Sequence, residues 1–356
     1  MMMEMTMSTY TDDSILYLCR KDVEQACRTI DSVAIMREVF RLHGSGQTTL
    51  PDEAYLAWTN DKGESVRSLN MPGYIGGSMG IAGTKIINSN ICNPTRGLPR
   101  ASGLTLLYDN TSVRIICVME GACISSLRTA SVTALAADLL KGAEIEYIAI
   151  IGAGVLARAH IDLLVRRLPH LREIQVFDVE KERIAMLQRD VASELEASGV
   201  AMRIASTAEE AIRSAQLIVP VTTTSVGYIE YEWLQPGSLL VNISLDDAKP
   251  EVILKAGRVI VDDWNLVKND TRRLMGRMYR KRQIIGPDDP PEVTSNQFRR
   301  IDAQLGEIVA GTRTGRRSAS EIVIVNPFGL SIEDITLAAH VYQAARELGI
   351  GVLLER

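Results

Sequence analysis

The feature that most constrains this chain is a six-residue turn, Gly152-Ala153-Gly154-Val155-Leu156-Ala157, set between an apolar run and a helical stretch. The run before it, Tyr147 to Ile151, is continuously apolar and bounded by turn residues, which suits a strand buried on both faces of a parallel sheet. The first glycine permits the tight turn, the second lets backbone approach a pyrophosphate, and the small Ala157 allows close helix–strand packing. The helix start then offers free N–H groups and a positive dipole to phosphates. Asp178 ends the next apolar run, Val176-Phe177. An acid there accepts both ribose hydroxyls and repels a 2′-phosphate, which points to NAD over NADP. The plain alternative is a glycine-rich turn in an α/β core beside a solvated acid. The flanking strand and helix, with Asp178, favour the cofactor, held by Gly152, Ala153, Gly154, Val155, Leu156 and Asp178.

Around that turn the chain alternates between strand and helix signals. Strands are expected at Glu173 to Asp178, Leu217 to Val221, Ser238 to Ile243, Arg258 to Asp262 and Glu321 to Val325, with a helix over Lys181 to Ser198. This rhythm predicts an α/β fold with a Rossmann-type doubly wound parallel sheet. The first third reads differently. Lys21 to His43 has helical apolar spacing, and short strands follow at Ala54 to Thr59, Ser65 to Met71, Thr84 to Asn88, Gly103 to Asp109 and Val113 to Glu120, with a hairpin turn at Asp109-Asn110-Thr111. That is a mixed or antiparallel sheet with a helix on it. An Ala-rich helix over Leu127 to Leu140 leads into the parallel sheet. Arg282 to Glu292, rich in Pro and Asp, reads as a loop. Ser331 to Leu348 closes the chain as an amphipathic helix, with Ser331 and Asp334 resembling a capping box. The expected division is residues 1–130 and 325–356 as a discontinuous α+β domain for substrate binding and dimerisation, and 131–324 as the NAD-binding domain.

Composition excludes several classes. Among 356 residues, 46% are apolar and 23% charged, which is enough apolar material for a real core. The net charge of −5, with no basic stretch interleaved with aromatics, argues against nucleic-acid binding. The densest basic run, Arg272 to Arg282, reads as a solvated helix face. Five cysteines with no CxxC suit reduced thiols in a cytosolic protein, and four scattered histidines give no metal site. Met1 to Met7 carries Glu4 and no apolar core, so it is not read as a secretory signal. No apolar run is read as long enough to cross a bilayer.

Three cations sit in unusually apolar or small-residue settings: Arg67, Lys85 and Arg128. Taken singly, each is an ordinary solvated or ion-paired residue. As a set with the glycine turn and Asp247, in that order along the chain, they resemble the ornithine cyclodeaminase/mu-crystallin superfamily. The resemblance implies that Arg67, Lys85 and Arg128 hold a substrate carboxylate, that Lys85 also assists proton transfer, and that Asp247 acts at the substrate amine. Arg100 is a weaker fourth cation. The blocks Glu120–Ala130 (EGACISSLRTA), Tyr228–Gln235 (YIEYEWLQ), Asn242–Asp247 (NISLDD), Val261–Trp264 (VDDW) and Asn326–Asp334 (NPFGLSIED) resemble one branch. That branch oxidises N-(2-amino-2-carboxyethyl)-L-glutamate with NAD and releases L-2,3-diaminopropionate and 2-oxoglutarate for siderophore or peptide-antibiotic assembly. The family segment matching Asn326–Asp334 lies near the nicotinamide; a simple structural cap suits the same residues.

The chain departs from cyclodeaminases after the Asp247 strand, where Ser244 to Glu251 (SLDDAKPE) replaces a longer Gly-Asp-x-Pro-Gly-Lys stretch. That favours the diaminopropionate branch over ornithine cyclisation. It also leaves adjacent acids, which point in different directions from an extended segment; Asp247 is taken as the functional one and Asp246 as a solvated neighbour. The alternatives are a cyclodeaminase, an imine reductase or an amino-acid dehydrogenase of the same superfamily, and a non-catalytic NAD(P)-dependent binding protein like mu-crystallin. Retention of Lys85 with Asp247 argues against the last. The apolar segment Gly103 to Met119 suggests a homodimer through the N-terminal domain.

Overall fold

Strands buried on both faces and strands with one wet face separate the chain into two kinds of sheet. The computed structural model describes residues 14–290 and 298–356, which form two compact units: 14–128 with Leu330–Arg356, and Thr129–Gly329. In chain order the elements run β1 (Ser14–Leu18), α1 (Arg20–Cys27), α2 (Ser32–Gly44), β2 (Thr48–Thr49), β3 (Ala54–Thr59), β4 (Ser65–Ile75), β5 (Ile81–Asn90), β6 (Ala101–Tyr108), β7 (Ile115–Glu120) and α3 (Gly121–Leu140). They continue with β8 (Tyr147–Ile151), α4 (Val155–Arg167), β9 (Glu173–Phe177), α5 (Lys181–Asp190), α6 (Ala192–Ser198), β10 (Ala201–Ile204), α7 (Ala208–Arg213), β11 (Leu217–Pro220), β12 (Leu239–Val241) and α8 (Pro250–Lys255). The chain ends with β13 (Arg258–Val261), α9 (Trp264–Asn269), α10 (Leu274–Arg280), β14 (Ile284–Ile285), β15 (Arg299–Arg300), β16 (Ala303–Gln304), α11 (Leu305–Val309), β17 (Val323–Asn326), α12 (Ser331–Leu348) and β18 (Val352–Glu355).

In the first unit the strand order is β18-β1-β7-β6-β5-β4-β2, with β3 beside β4. The β3 to β7 hairpins are antiparallel, and β1 joins β7 in parallel. One face of this sheet is covered by α12. At the crossing, Gly73 of β4 and Gly83 of β5 are direct partners, and a Cβ at Gly73 would come within 2.6 Å of Ser331 Oγ. These small residues let the helix lie close to the strands. Lys85 and Arg67 share that face, because Lys85 pairs with Met71 and Arg67 stands four residues before Met71 on the same strand.

The second unit is the doubly wound sheet that the sequence predicts. Its order is β10-β9-β8-β11-β12-β17-β13-β16, and each adjacent pair is parallel. The order reverses between β8 and β11, the point where open α/β sheets bind ligands beyond their carboxyl ends. Strands β11, β12, β13 and β17 are wholly buried, which is why their sequences are apolar without alternation, apart from Arg258 at the start of β13 and Asn326 at the end of β17.

Several local expectations need correction. The helical pattern from Lys21 to His43 is two helices. Asp31 breaks it by accepting the N–H groups of Val33 and Ala34 at 3.1 Å each, a cap that requires non-helical backbone. Lys181 to Ser198 likewise breaks at Val191. Helix α3 begins six residues earlier than its Ala-rich pattern. Ser331 is not a cap; Leu330 is, and Ser331 Oγ donates to the Pro72 carbonyl at 2.7 Å. The expected loop at Arg282 contains the short strand β14, and its last residues, Pro291 and Glu292, lie outside the described residues, as does Met1 to Met7. The arginines from Arg272 to Arg282 are not simply a solvated face: Arg272 pairs with Asp270, Arg273 and Arg277 with Asp246, and Arg280 donates to the Lys268, Asn269, Asp270 and Gly276 carbonyls. Contrary to the sequence reading, α3 is long and apolar enough to cross a membrane, but 67% of its most apolar window is buried inside the protein, as in a core helix.

One buried titratable group in the second unit gives a pH signature. His160 on α4 is fully buried; its Nδ1 hydrogen-bonds the Leu156 carbonyl at 2.7 Å and its Nε2 meets Thr133 Oγ1 at 2.9 Å. Burial lowers its pKa from 6.5 to about 4. The unfolded chain therefore binds this proton first, so the stability contributed by neutral His160 is complete above pH 6.5 and is lost as pH falls toward 4. The loss is expected to reach roughly 3 kcal/mol at most. Urea unfolding of His160→Gln should lack this part of the acid dependence. Equal slopes for both proteins across that window would refute it.

Candidate active site

The turn after β8 is built as the sequence requires. Gly152 has φ +106°, and its N–H donates to the Phe177 carbonyl at 2.7 Å. A Cβ here would also come within 2.9 Å of the Val221 carbonyl oxygen. Gly154 caps α4 with no side-chain hydrogen bond, and a Cβ added to it would meet no atom within 4 Å. Helix N–H groups thus start behind a residue that adds no bulk of its own. Ala157 is fully buried beneath them, while Val155 is 69% exposed. Asp178 is tied to the same turn: Oδ2 accepts from the Ala153 N–H at 2.7 Å, and Oδ1 from the Glu180 N–H at 2.9 Å. A carboxylate has about four lone-pair directions, so capacity for ribose hydroxyls remains.

Beyond β11 and β12, at the same carboxyl edge, the two adjacent acids separate. Asp247 is wholly buried, and its Oδ1 accepts from Thr222 Oγ1 at 2.6 Å and Tyr228 Oη at 3.1 Å. Among the described residues, Oδ2 accepts from no donor. Burial pushes the carboxyl above its ordinary range, opposed by the hydroxyls around it, Thr222 foremost. Asp246 turns the other way. The expectation of a solvated neighbour fails: Asp246 is 3% exposed and accepts from Arg273, Arg277 and the Leu274 N–H at 3.0, 3.0 and 2.8 Å. It anchors the start of α10.

In the first unit, Lys85 is 3% exposed on β5 and donates to Ser125 Oγ at 2.8 Å and Asp334 Oδ2 at 3.1 Å. Arg128 on α3 pairs with Glu333 at 2.8 Å and Asp334 at 3.3 Å. Burial lowers the Lys85 pKa; Asp334 opposes this and Arg128 adds to it. Two cations thus meet two buried carboxylates from the first turn of α12. Arg67 lies farther along the same sheet face, roughly 13 Å from Lys85 at about 3.3 Å per residue. Arg100 stands just before β6, where its carbonyl accepts the Asn90 N–H at 2.9 Å. The sequence reading missed Glu333 and Asp334 as partners of the cations. The signal was available: two adjacent acids open a helix whose next eight residues, Ile335 to Tyr342, carry no acid and are mostly apolar. It also missed Thr222 and Tyr228, although a hydroxyl run from Thr222 to Ser225 follows a buried strand.

A parallel sheet reversing beside a glycine turn, with an acid at the end of its second strand, defines a Rossmann-class dinucleotide-binding chain. More particularly, the chain belongs to the ornithine cyclodeaminase/mu-crystallin family, whose model matches residues 14–349. It is 33% identical over 347 residues to the N-((2S)-2-amino-2-carboxyethyl)-L-glutamate dehydrogenase of Staphylococcus aureus, covering 96% of this chain and 98% of that protein. The crystal structure of CmnK is 34% identical, with a TM-score of 0.86 over 96% of this chain and 98% of that one. A dimeric archaeal alanine dehydrogenase with bound NAD is 26% identical, with a TM-score of 0.78 over 96% of this chain and 99% of that one.

The two acids have separable expected phenotypes. Asp246→Asn weakens two partly exposed ion pairs and one N–H bond, which should cost roughly 1–3 kcal/mol of stability. Thermal unfolding checks this. A variant as stable as the parent would show that Asp246 does not anchor α10.

Proposed function

We propose that the chain is an NAD-dependent oxidoreductase that cleaves N-(2-amino-2-carboxyethyl)-L-glutamate to L-2,3-diaminopropionate and 2-oxoglutarate. The observation that carries this reading is the near full-length similarity to the Staphylococcus aureus dehydrogenase of that substrate. The cofactor fits the residues present: α4 starts behind Gly154, and Asp178 lies against the turn. Held by the Gly152–Leu156 turn and Asp178, NAD would supply the acceptor for the hydride that leaves the glutamyl Cα. The chain's own residues handle charge and protons. Asp247 takes the proton from the substrate nitrogen as the C–N bond becomes an imine. Water adds to the imine carbon, and the carbinolamine collapses to keto acid and primary amine. The substrate carries several carboxylates, which Arg67, Arg128 and Arg100 grip and orient, while Lys85 assists proton transfer. Such a reaction would supply a diamino acid to siderophore or antibiotic assembly in the cytoplasm.

Incubation with NAD and this substrate should yield both products by mass spectrometry, with NADH appearing at the same rate. Turnover of alanine or ornithine in its place would overturn the substrate assignment. Asp178 should make NAD strongly preferred; equal or tighter NADP binding sinks that point. Asp247→Asn keeps shape but cannot take the proton, so turnover should fall by ~10²–10⁴ while NAD binding stays nearly intact.

We also propose that the chain is a homodimer through the sheet face opposite α12. That face leaves Leu56, Trp58, Tyr74 and Leu104 at 60, 47, 37 and 40% exposure. A face this apolar marks an interaction site. Light scattering at micromolar concentration should give twice the chain mass, and a monomer would refute it.

A further inference from the structure

We infer that Thr222 and Tyr228 are positioning residues that hold Asp247 by one carboxylate oxygen and leave the other for the substrate nitrogen. The inference rests on Asp247 being the base. The geometry restrains this residue from both its side chain and its backbone. Thr222 Oγ1 accepts the Thr224 N–H at 3.1 Å, which directs its own proton to Asp247 Oδ1 at 2.6 Å. The loop carrying Thr222 is itself fixed, because its N–H donates to Ser244 Oγ at 2.8 Å and Ser244 Oγ donates to the Pro220 carbonyl at 2.9 Å. Ser244 also lies close enough to the Asp247 carboxyl to favour its ionised form, after Thr222.

On the other side, the Asp247 carbonyl accepts the N–H groups of Tyr228 and Ile229 at 2.8 and 2.9 Å, and the Lys249 N–H donates to the Ile229 carbonyl at 3.1 Å. Gly227 permits this approach, since a Cβ there would sit 2.6 Å from the Ala248 carbonyl oxygen. The same segment then delivers the Tyr228 hydroxyl to Oδ1 at 3.1 Å. Burial, with Asp247 alongside, holds the Tyr228 phenol well above its ordinary range, so it remains a donor. With both donors on Oδ1, the carboxylate has one fixed orientation, and Oδ2 is the oxygen left to take a proton.

The titratable groups that act on Asp247 are Tyr228 and Asp246, next in the chain; Arg273 and Arg277 pair with Asp246. Donated hydroxyl bonds favour the ionised carboxylate, so removing one raises its pKa. A base works only when ionised, so the acid limb of kcat/KM moves to higher pH. Thr222→Val and Tyr228→Phe should each move it up by roughly one unit. Thr222→Ser, which restores a hydroxyl, should recover the parent limb. A residue that only supports the fold would change melting temperature or NAD binding and leave the limb in place. Carbon-13 titration of the Asp247 carboxyl, assigned by its loss in Asp247→Asn, reads the same shift without substrate. If Asp247→Asn is inactive but neither Thr222→Val nor Tyr228→Phe moves the limb or the carbon-13 titration, the positioning inference is wrong. If Asp247→Asn stays active, the base assignment itself fails.

Discussion

A charge taken out of water must be met by an opposite charge or by hydrogen-bond donors, and this protein meets that demand at a few defined places. In the first unit, Lys85 and Arg128 face Glu333 and Asp334. In the second, Asp246 takes two arginines, Asp247 takes two hydroxyls, and Asp262 takes the N–H groups of Asp263 and Gly329 at 2.9 and 2.6 Å. Each arrangement fixes a loop or a helix end. The functional geometry is therefore a by-product of making buried charge tolerable.

The two kinds of solution have different consequences. An ion pair such as Asp246 with Arg273 and Arg277 neutralises the acid and commits it to structure. Hydroxyl donors on Asp247 orient the carboxylate without cancelling its charge, which leaves it able to accept a proton. Two neighbours in sequence thus acquire opposite roles from their partners alone. Lys85 lies between these cases: Asp334 keeps it paired, while burial and Arg128 push its proton toward release.

Much of the second unit was legible in the sequence because its strands are buried on both faces. Continuous apolar runs such as Tyr147–Ile151 leave little freedom in assignment, and the glycine turn that follows admits few backbone paths. The exceptions are the edge strands: β10, Ala201–Ile204, is largely exposed and interrupted by Arg203, and β16, Ala303–Gln304, is two residues long. Helix boundaries were less legible. Apolar spacing continues across Asp31 and Val191, and whether a polar side chain caps the next turn depends on competition that periodicity does not report.

The sequence by itself determined the doubly wound sheet, the cofactor turn with its acid, and the candidate residues Arg67, Lys85, Arg128 and Asp247. The sheet and the turn depend on short-range patterning and on spacings that only a few backbones satisfy; the four residues come from the resemblance to the family. Only the tertiary structure decided what each charge meets. Lys85 and Asp334 are separated by 249 positions, Arg128 and Glu333 by 205, and Asp246 and Arg277 by 31. No local pattern links such residues. Their pairing follows from helix α12 returning across the first sheet at Gly73 and Gly83, and from α10 starting against the loop after β12, because charges that distant in sequence meet only after the apolar surfaces beneath them have packed.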